Sequence, residues 1–459
     1  MSYWNSESEF RIKHMSSGGT NTYLLRSTAV AALGGLLFGF DTAVISGTTQ
    51  ALTEVYSLTP TMLGITVSSA LAGTVVGSAT AGGPADRYGR KASLGVLAVL
   101  YVLTSLGCAI AWDWTSLLVF RAIGGLAIGG SSVIGPMYIA EVAPAAKRGR
   151  LVGMFQFNIV VGILLAYLSN YLIGTLGFGE DEWRWKLGIA AVPAALFFAL
   201  LFGIPQSPRW LVRQGRLAEA EEVLKQTGEP DPAAEVKDIL ESIGTEREHA
   251  STPLFSRRYR FPIFLAISIG MFNQLSGINA ILYYLNDIFQ RAGYTKVSGD
   301  LQAVAIGATN LLFTVIAMSV IDRLGRKKLL LTGAVGTAVC LAGVAAIFAT
   351  HRYEGTLLWL LVAFIALFAF SQGAVIWVYL SEVFPNVVRA KGQSLGSFTH
   401  WIMNFAISLV FPVLAARSGA VPFGFFAAMM VVQVVVVWRV YPETSGITLE
   451  EMQKKLETA

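Results

Sequence analysis

Long apolar runs separated by short polar loops occupy almost the whole chain. Each run has about 20 residues, enough for an α-helix to cross a hydrocarbon core of ~30 Å. The alternating segments of about 10 residues that form membrane β-barrels do not occur. The pattern predicts an all-α membrane protein with twelve transmembrane helices, at 27–48, 61–83, 92–111, 116–138, 150–173, 184–204, 261–289, 298–320, 328–349, 357–380, 391–415 and 421–440.

One long polar stretch divides these spans into two sets of six. The predicted order is an N-terminal tail, a six-helix bundle, a linker, a second six-helix bundle and a C-terminal tail, at 1–26, 27–206, 207–260, 261–441 and 442–459. Apolar positions recur at helical spacing in RLAEAEEVLKQ and PAAEVKDILESI, which favours a helical linker domain over a flexible linker.

Motifs recur in the same order in both sets of spans. GGPADRYGRK has Asp86 where VIDRLGRKK has Asp322, an offset of 322 − 86 = 236 residues. EVAPAAKRGR begins at Glu141 and EVFPNVVRAKG at Glu382, an offset of 382 − 141 = 241 residues. The nearly constant offset indicates a duplicated six-helix unit, the parallel repeat found in alternating-access transporters.

Charged residues are few and are concentrated in the loops. The chain is 54% hydrophobic and 14% charged, whereas soluble domains carry about 25% charged residues. Lys and Arg cluster in short loops at 87–91, 147–150, 323–328 and 389–391, which twelve spans place on one side with both termini. The positive-inside rule makes this side cytoplasmic, and it explains the net charge of +5 without a nucleic-acid partner. The N-terminal tail lacks an apolar segment, so we expect it to be a cytoplasmic tail rather than a cleaved signal.

Motifs for other kinds of chemistry are absent from the sequence. There is no paired Cys/His metal spacing, no GxxxxGK[ST] phosphate loop and no G-x-S-x-G nucleophile elbow. Cys108 and Cys340 lie in apolar spans and are interpreted as packing residues. The sequence therefore predicts no metal, no cofactor and no catalytic residue, and we expect a protein that is not an enzyme.

A single carboxylate, Asp41, lies inside the first apolar span, LGGLLFGFDTAVISG. A charge there costs about 2.5–3.5 kcal/mol on insertion scales and usually marks an ion or proton pathway. Counting ~1.5 Å per residue from Ser27 places Asp41 ~21 Å deep, and Arg121, counted from Ser116, lies ~22 Å from the same face. We therefore expect the two charges to pair. The pair is either purely structural or a proton-coupling site, because displacement of Arg121 would let the buried acid take up a proton.

The chain resembles the sugar porter family of the major facilitator superfamily over nearly its whole length. The motifs that carry the resemblance are DRYGRK, DRLGRK, PMYIAEVAP, SPRW, QLSGINAILYY, SEVFP and PETSG. The resemblance implies a monomeric alternating-access carrier of a monosaccharide, either hexose or pentose, in a plasma membrane (a bacterial inner membrane). Facilitators of this family carry Asn at the position of Asp41, so the carboxylate favours proton symport. The alternatives are an uncoupled facilitator and a sugar sensor that binds without transporting.

The same resemblance implies a sugar site built from amides and aromatic rings. Hydroxyl groups need in-plane hydrogen bonds, and the C–H face of a sugar needs an aromatic surface. Asn273 stands where the family usually has Gln, and His400 where it has Gln or Asn. Ile163 stands where a xylose symporter of the family has Gln and its glucose facilitators have Ile, so Ile163 favours a hexose over a pentose. Each polar member could instead serve only as an interhelical hydrogen bond. The implied substrate-binding residues are Phe38, Gln156, Ile163, Asn273, Gln274, Asn279, Tyr283, Asn310, Trp377, His400 and Trp401.

Charged motifs at the cytoplasmic ends of the spans resemble the inner gate of the family. The resemblance implies a salt-bridge network that holds the two halves together when the site faces outward, although the basic residues could instead only orient the helices. Gln206 stands where the family usually has Glu. Gly277 and Gly373 are interpreted as points where spans seven and ten bend around sugar, or as sites of close packing. The implied gate residues are Asp86, Arg87, Arg90, Glu141, Arg148, Arg209, Asp322, Arg323, Arg326, Glu382, Arg389 and Glu443.

Overall fold

The computed structural model describes residues 21–144, 147–249, 253–385 and 387–445, without the side chains of 245–249, Val297 and Asp322. Most of both predicted tails lies outside these residues. The described part is helical, has no β-strand, and contains twelve segments long and apolar enough to cross a membrane. These spans, numbered 1 to 12 in chain order, are Thr22–Gly47, Pro60–Thr80, Arg90–Ala109, Trp114–Val142, Arg148–Leu176, Gly179–Leu201, Arg257–Tyr283, Ser298–Ile321, Arg326–Thr350, Glu354–Glu382, Arg389–Arg417 and Ala420–Val440.

The twelve predicted spans are confirmed, and their ends differ by no more than 289 − 283 = 6 residues, at the end of span 7. Side-chain caps explain two of the earlier starts. The side chain of Asn21 accepts a hydrogen bond from the backbone N–H of Leu24, and Asp113 forms a capping box with Ser116 at the start of span 4. The shorter helices that accompany the spans are Thr49–Tyr56, Gly82–Tyr88 and Leu285–Arg291.

Spans 7 and 10 are both broken near the middle. In span 7 the helix Arg260–Leu275 ends before Gly277, whose φ of +80° suits glycine, and Ile278–Tyr283 continues the span. A β-carbon at Gly277 would also collide with the ring of Phe426. Gly277 is thus both a point where span 7 is broken and a site of close packing, and a bend around sugar at this glycine stays a prediction.

The break in span 10 is not where the sequence suggested. The helices Leu357–Phe370 and Gln372–Glu382 are separated by Ser371, whose φ and ψ are −120° and −87°. Gly373 lies two residues beyond the break, inside the second helix, so span 10 is broken close to this glycine but not at it. The hydroxyl of Ser371 donates to the carbonyl of Leu367 at 2.6 Å, so this carbonyl in the last turn before the break has a hydrogen-bond donor.

Spans 2 and 4 are joined by a seam of glycines. A β-carbon at Gly73 would collide with the carbonyl oxygen of Ala122, and one at Gly125 would collide with that of Ala70. The hydroxyl of Thr74 adds a hydrogen bond of 3.2 Å to the carbonyl of Gly125. Small residues let the two backbones touch, which is how helices associate tightly in a membrane.

The polar stretch between the halves is helical. Its helices Pro208–Arg213, Leu217–Thr227 and Pro232–His249 share a small core that includes Trp210, Leu224 and Ile239. The linker lies against the first half, because Asn21 Nδ2 donates to the carbonyl of Gln226 at 2.8 Å. We call this side of the molecule the linker end and the opposite side the far end.

Contacts between the two halves occur towards the far end. The phenol of Tyr167 in span 5 donates to the carbonyl of Leu282 in span 7 at 3.0 Å. Gly64, near the far end of span 2, lies against the backbone of Leu409 in span 11. The halves are thus closed against each other on the side away from the linker.

Candidate functional site

Asp41 and Arg121 meet between spans 1 and 4. An Asp41 Oδ2 atom lies 3.9 Å from an Arg121 guanidinium nitrogen, too far for a hydrogen bond but within ion-pair range. The Arg121 side chain is 3% exposed, whereas that of Asp41 is 25% exposed. Arg121 Nε donates instead to the carbonyl of Thr66 at 3.2 Å. The arginine is therefore held in place by span 2, whereas the Asp41 carboxylate stays partly accessible.

A small cavity opens beside this ion pair. Phe38 and Tyr283 belong to its lining, although Tyr283 comes from the second half of the chain. The cavity therefore connects the charges of the first half with residues of span 7. Its lining consists of Phe38, Asp41, Thr42, Val67, Ala70, Leu71, Thr74, Arg121, Ile128 and Tyr283.

Four of the predicted polar residues form one hydrogen-bonded cluster in the second half. Gln274 is its centre: its Nε2 atom lies 3.2 Å from Asn273 Oδ1 and 3.2 Å from His400 Nε2. Gln274 Oε1 accepts from Asn279 Nδ2 at 3.1 Å. Asn273 Nδ2 reaches the carbonyl of Gln372 at 3.4 Å. Asn273 and Gln274 precede the break at Gly277 and Asn279 follows it, so the hydrogen bond of Gln274 to Asn279 joins the two parts of span 7.

Aromatic rings extend from this cluster to the ion-pair cavity. The ring centroids of Trp377 and His400 are 5.2 Å apart, and those of His400 and Trp401 are also 5.2 Å apart. Trp401 in turn lies 5.3 Å from Phe38, which lines the cavity beside Asp41. Trp377 is 39% exposed, so its side chain is not fully covered by these neighbours.

The remaining predicted sugar residues stand apart from the cluster. Gln156 is half-buried on span 5, and Ile163 is buried about two turns further along the same helix, on the same face. Asn310 is buried on span 8. None of the described hydrogen bonds connects Gln156 or Asn310 with Gln274 or its partners.

Sequence reasoning missed Asn404. Its Nδ2 atom donates to the phenol oxygen of Tyr283 at 3.2 Å and so links span 11 to the cavity beside Asp41. Asn404 follows His400 by four residues on one helix, so the two share a face. That spacing is the signal that could have identified it.

At the linker end of the first half, Arg90 is the centre of a charged cluster. Its guanidinium lies 2.8 Å from Glu141 and 3.0 Å from Asp86, and it is 3% exposed. The hydroxyl of Ser207 donates to the other oxygen of Glu141. Asp86 is also paired with Arg213 of the linker at 2.9 Å.

The second half repeats this arrangement around Arg326. Its guanidinium lies 2.8 Å from Glu382, and Thr444 donates to the same carboxylate at 2.6 Å. Glu443 accepts hydrogen bonds from the backbone N–H groups of Arg326 and Lys327 at 2.8 and 3.1 Å. This glutamate therefore caps the first turn of span 9.

The other predicted gate residues lie around these two centres. Arg148 approaches Glu235 of the linker at 3.9 Å, and Arg389 Nε donates to the carbonyl of Phe384 at 3.2 Å. Arg87 and Arg323 are exposed and Arg209 is half-buried, while the side chain of Asp322 lies outside the described part. Each ion pair described among the gate residues stays within one half or joins the first half to the linker.

Comparison with known proteins identifies the family. The model described as "Sugar (and other) transporter" matches residues 27–456. The chain belongs to this sugar transporter family. Three family members are each 35% identical to it: the D-xylose-proton symporter of Escherichia coli K12, the arabinose-proton symporter of Bacillus subtilis 168 and the glucose transport protein of a Synechocystis strain. The matches cover 96%, 94% and 94% of this chain and 97%, 95% and 97% of the respective relatives.

Solved structures of the sugar transporter family confirm the twelve-span fold. The inward open conformation of the E. coli xylose transporter matches with a TM-score of 0.84 and 34% identity, over 94% of this chain and 100% of that one. A proton:xylose symporter bound to 6-bromo-6-deoxy-D-glucose matches with a TM-score of 0.80 and 34% identity, over 95% and 100%. The chain is therefore a multi-pass membrane protein of a transporter family.

Proposed function

We propose that this protein is a proton-coupled monosaccharide symporter that works by alternating access. The observation that carries the proposal is the 3.9 Å ion pair of Asp41 and Arg121, which is linked through Phe38 and Trp401 to the amide cluster. Relatives along the whole chain are named as proton symporters for xylose and arabinose. A carboxylate available to protons and a cluster available to sugar hydroxyls thus lie side by side at the centre of a transporter fold.

Asp41 is the proposed proton carrier and Arg121 the group that controls it. With Asp41 ionised, the ion pair compensates both charges in a medium where an unpaired charge is costly. Protonation of Asp41 removes its attraction for Arg121, which keeps its hydrogen bond to Thr66. Proton uptake therefore changes the charge beside Phe38 and beside Tyr283, the cavity residue that the second half contributes.

The sugar is proposed to bind against Gln274, Asn273, Asn279 and His400, with Trp377 covering its C–H face. The amides of this group offer donors and acceptors that can exchange their mutual hydrogen bonds for bonds to hydroxyls. Gln156, Ile163, Asn310, Tyr283, Phe38 and Trp401 complete the proposed site from the other spans. Relatives named for xylose, arabinose and glucose leave both pentoses and hexoses as substrates to be tested.

The linker end is proposed to face the cytoplasm. The Lys- and Arg-rich loops lie at this end, as the positive-inside rule requires. In this orientation Arg90, Glu141, Arg326 and Glu382 belong to the inner gate, whose cross-half contacts form when the site opens outward. A fluorescent protein fused to the C-terminus should therefore lie in the cytoplasm and be protected from protease added outside the cell. Digestion of the fusion by external protease would contradict this orientation.

The test of symport compares the unmodified protein with Asp41→Asn in proteoliposomes. For the unmodified protein, sugar addition should raise the pH of a weakly buffered vesicle suspension, and a proton gradient should drive uphill uptake. Asp41→Asn should lose both responses but retain counterflow exchange, because the sugar cluster is intact. The sugar is first chosen by a thermal-shift screen of D-xylose, L-arabinose, D-glucose and related sugars.

Asp238→Asn, which removes an exposed carboxylate of the linker, is the matched control and should behave as the unmodified protein. Uphill uptake by Asp41→Asn would exclude Asp41 as the proton carrier. Sugar exchange without any alkalinisation in the unmodified protein would identify a facilitator. Saturable sugar binding without exchange would identify a sensor.

A further inference from the structure

A buried group of charges lies between the halves at the far end, away from the sugar cluster. Its centre is Lys186 in span 6, whose side chain is fully buried. Lys186 Nζ lies 2.7 Å from Glu182 Oε1 and 3.2 Å from Asp300 Oδ2, and it donates to the carbonyl of Gly47 at 3.1 Å. The ammonium group thus faces two carboxylates and one backbone carbonyl.

Residues of the second half complete this far-end charge cluster. Lys296 Nζ lies 3.1 Å from Glu182 Oε1, and Asn286 donates to the second oxygen of Asp300. Lys186 and Glu182 belong to the first half, whereas Asp300 and Lys296 belong to span 8 and the turn before it. Two cation–carboxylate pairs therefore cross the boundary between the halves, and the four charges balance.

The cluster is closed to solvent at its centre. Asp300 is 2% exposed, and a β-carbon at Gly174 would lie 3.2 Å from Asp300 Oδ2. If the halves separated, Lys186 and Asp300 would lose their ion pair, and both charges would stay uncompensated until water hydrated them. A charge buried without its partner is unfavourable, so the pairs favour the arrangement in which the far end is closed. At the linker end, by contrast, the described ion pairs do not join the two halves.

We propose that the far-end charge cluster is a lock that holds the halves together on this side and must open in every transport cycle. The proposal requires two halves that rock against each other, and it does not depend on the identity of the sugar or on proton coupling. Residues Lys186 and Asp300 form its buried part, and Lys296 with Glu182 forms its outer part.

The lock is tested by spin-label distances across the far end. Labels are attached at Glu54, in the helix Thr49–Tyr56, and at Arg352, between spans 9 and 10, after the buried Cys108 and Cys340 have been replaced by Ala. Both label sites are exposed at the far end, on opposite halves. In the unmodified protein in lipid we expect a predominantly short distance. Lys186→Met and Asp300→Asn should each raise the ratio of long to short distances about 10-fold. The double variant should resemble either single variant, because both remove the same pair.

Asp181→Asn is the matched control, because it breaks an exposed ion pair with Arg184 within the first half. An unchanged distance distribution in Lys186→Met and Asp300→Asn, or an equal change in Asp181→Asn, would overturn the proposal. Lys296→Gln provides a test on a half-exposed residue that does not threaten folding, and it should produce a smaller change in the same direction. If Lys186→Met and Asp300→Asn do not fold, an unchanged distance distribution in Lys296→Gln would overturn the proposal by itself.

Transport measurements separate this proposal from the proposed function. Lys186→Met and Asp300→Asn should lower the half-saturating concentration of sugar added on the far side. They should also lower the maximal transport rate, because fewer molecules return to the state in which the far end is closed. Asp41→Asn should leave the distance response to Lys186→Met intact. Failure of coupling at Asp41 and failure of the lock are therefore distinguishable.

Discussion

At the linker end, Arg90 and Arg326 occupy equivalent places in the two halves, and each lies 2.8 Å from a carboxylate. The centres of the halves are different. The first half carries Asp41 and Arg121, whereas the described part of span 7 beyond Arg260 and the two helices of span 10 before Glu382 carry no charged side chain. Amides and aromatic rings occupy this region of the second half instead. The duplicated unit has kept a charged cluster at the linker end in both copies, whereas the centre carries an ion pair in the first half and amides with aromatic rings in the second.

The largest effect is expected from removing the buried guanidinium of either gate cluster. Arg90→Ala and Arg326→Ala leave Glu141 or Glu382, whose side chains are only 9% and 21% exposed, without this cation, which costs up to about 3–5 kcal/mol. Both variants should lower the apparent melting temperature of the protein in detergent. Lys237→Ala, at an exposed linker cation, is the control. Loss of stability in only one variant would show that the two clusters are not energetically equivalent.

A smaller effect is expected at the centre of the second half. Gln274→Ala removes the amide that joins Asn279 to His400 and leaves buried polar groups unpaired, at a cost of about 1–3 kcal/mol. Sugar affinity should fall about 5- to 150-fold, while the number of protons carried per sugar stays unchanged. Titration calorimetry and paired pH and uptake measurements check the two outcomes.

Gln433→Ala is the control for Gln274, because Gln433 is a buried glutamine of span 12 outside the cluster. A changed proton-to-sugar ratio in Gln274→Ala would break the separation of functions between the halves. An unchanged affinity would remove Gln274 from the sugar site.

The smallest effect concerns the one clear difference between the gate clusters. Glu443 caps the start of span 9, whereas Gln206 stands at the matching start of span 3, where its buried Oε1 atom has no hydrogen-bond partner among the described residues. Gln206→Glu should stabilise the protein by about 0.3–1 kcal/mol, since a negative charge favours a helix N-terminus. Glu443→Gln should destabilise the protein, since it removes a negative charge from the N-terminus of span 9. Melting temperatures of both variants check this, and equal signs would contradict it.

Much of the fold could be predicted because its physical causes are local. The length of each apolar run fixes a span, and the constant rise of a helix was sufficient to place Asp41 beside Arg121 across 80 residues of sequence. The cluster around Gln274 was predicted from residue type and family resemblance, and the structure brings four of its members together.

Features that depend on distant packing could not be predicted. Lys186 stands in the run EWRWKLG near the end of a span, where a lysine usually extends to the interface. Its partner Asp300 is 114 residues away, and no pattern links them. The break of span 10 at Ser371 rather than Gly373 depends likewise on a neighbour, because Ser371 lies against Gly333 of span 9.

The glycine seam between spans 2 and 4 limits how Asp41, the proposed proton carrier, can move relative to Arg121. Arg121 belongs to span 4 and is hydrogen-bonded to span 2, and the two helices are in backbone contact without intervening side chains. Span 1, which carries Asp41, packs on span 4 within the same half. A rotation of that half as a rigid body would move both charges by the same transformation and leave their Cα separation unchanged. Separation of the Asp41 carboxylate from Arg121 must then come from side-chain rotation. A change of rotamer at Asp41 or Arg121, rather than a hinge motion of the backbone, would accompany proton uptake.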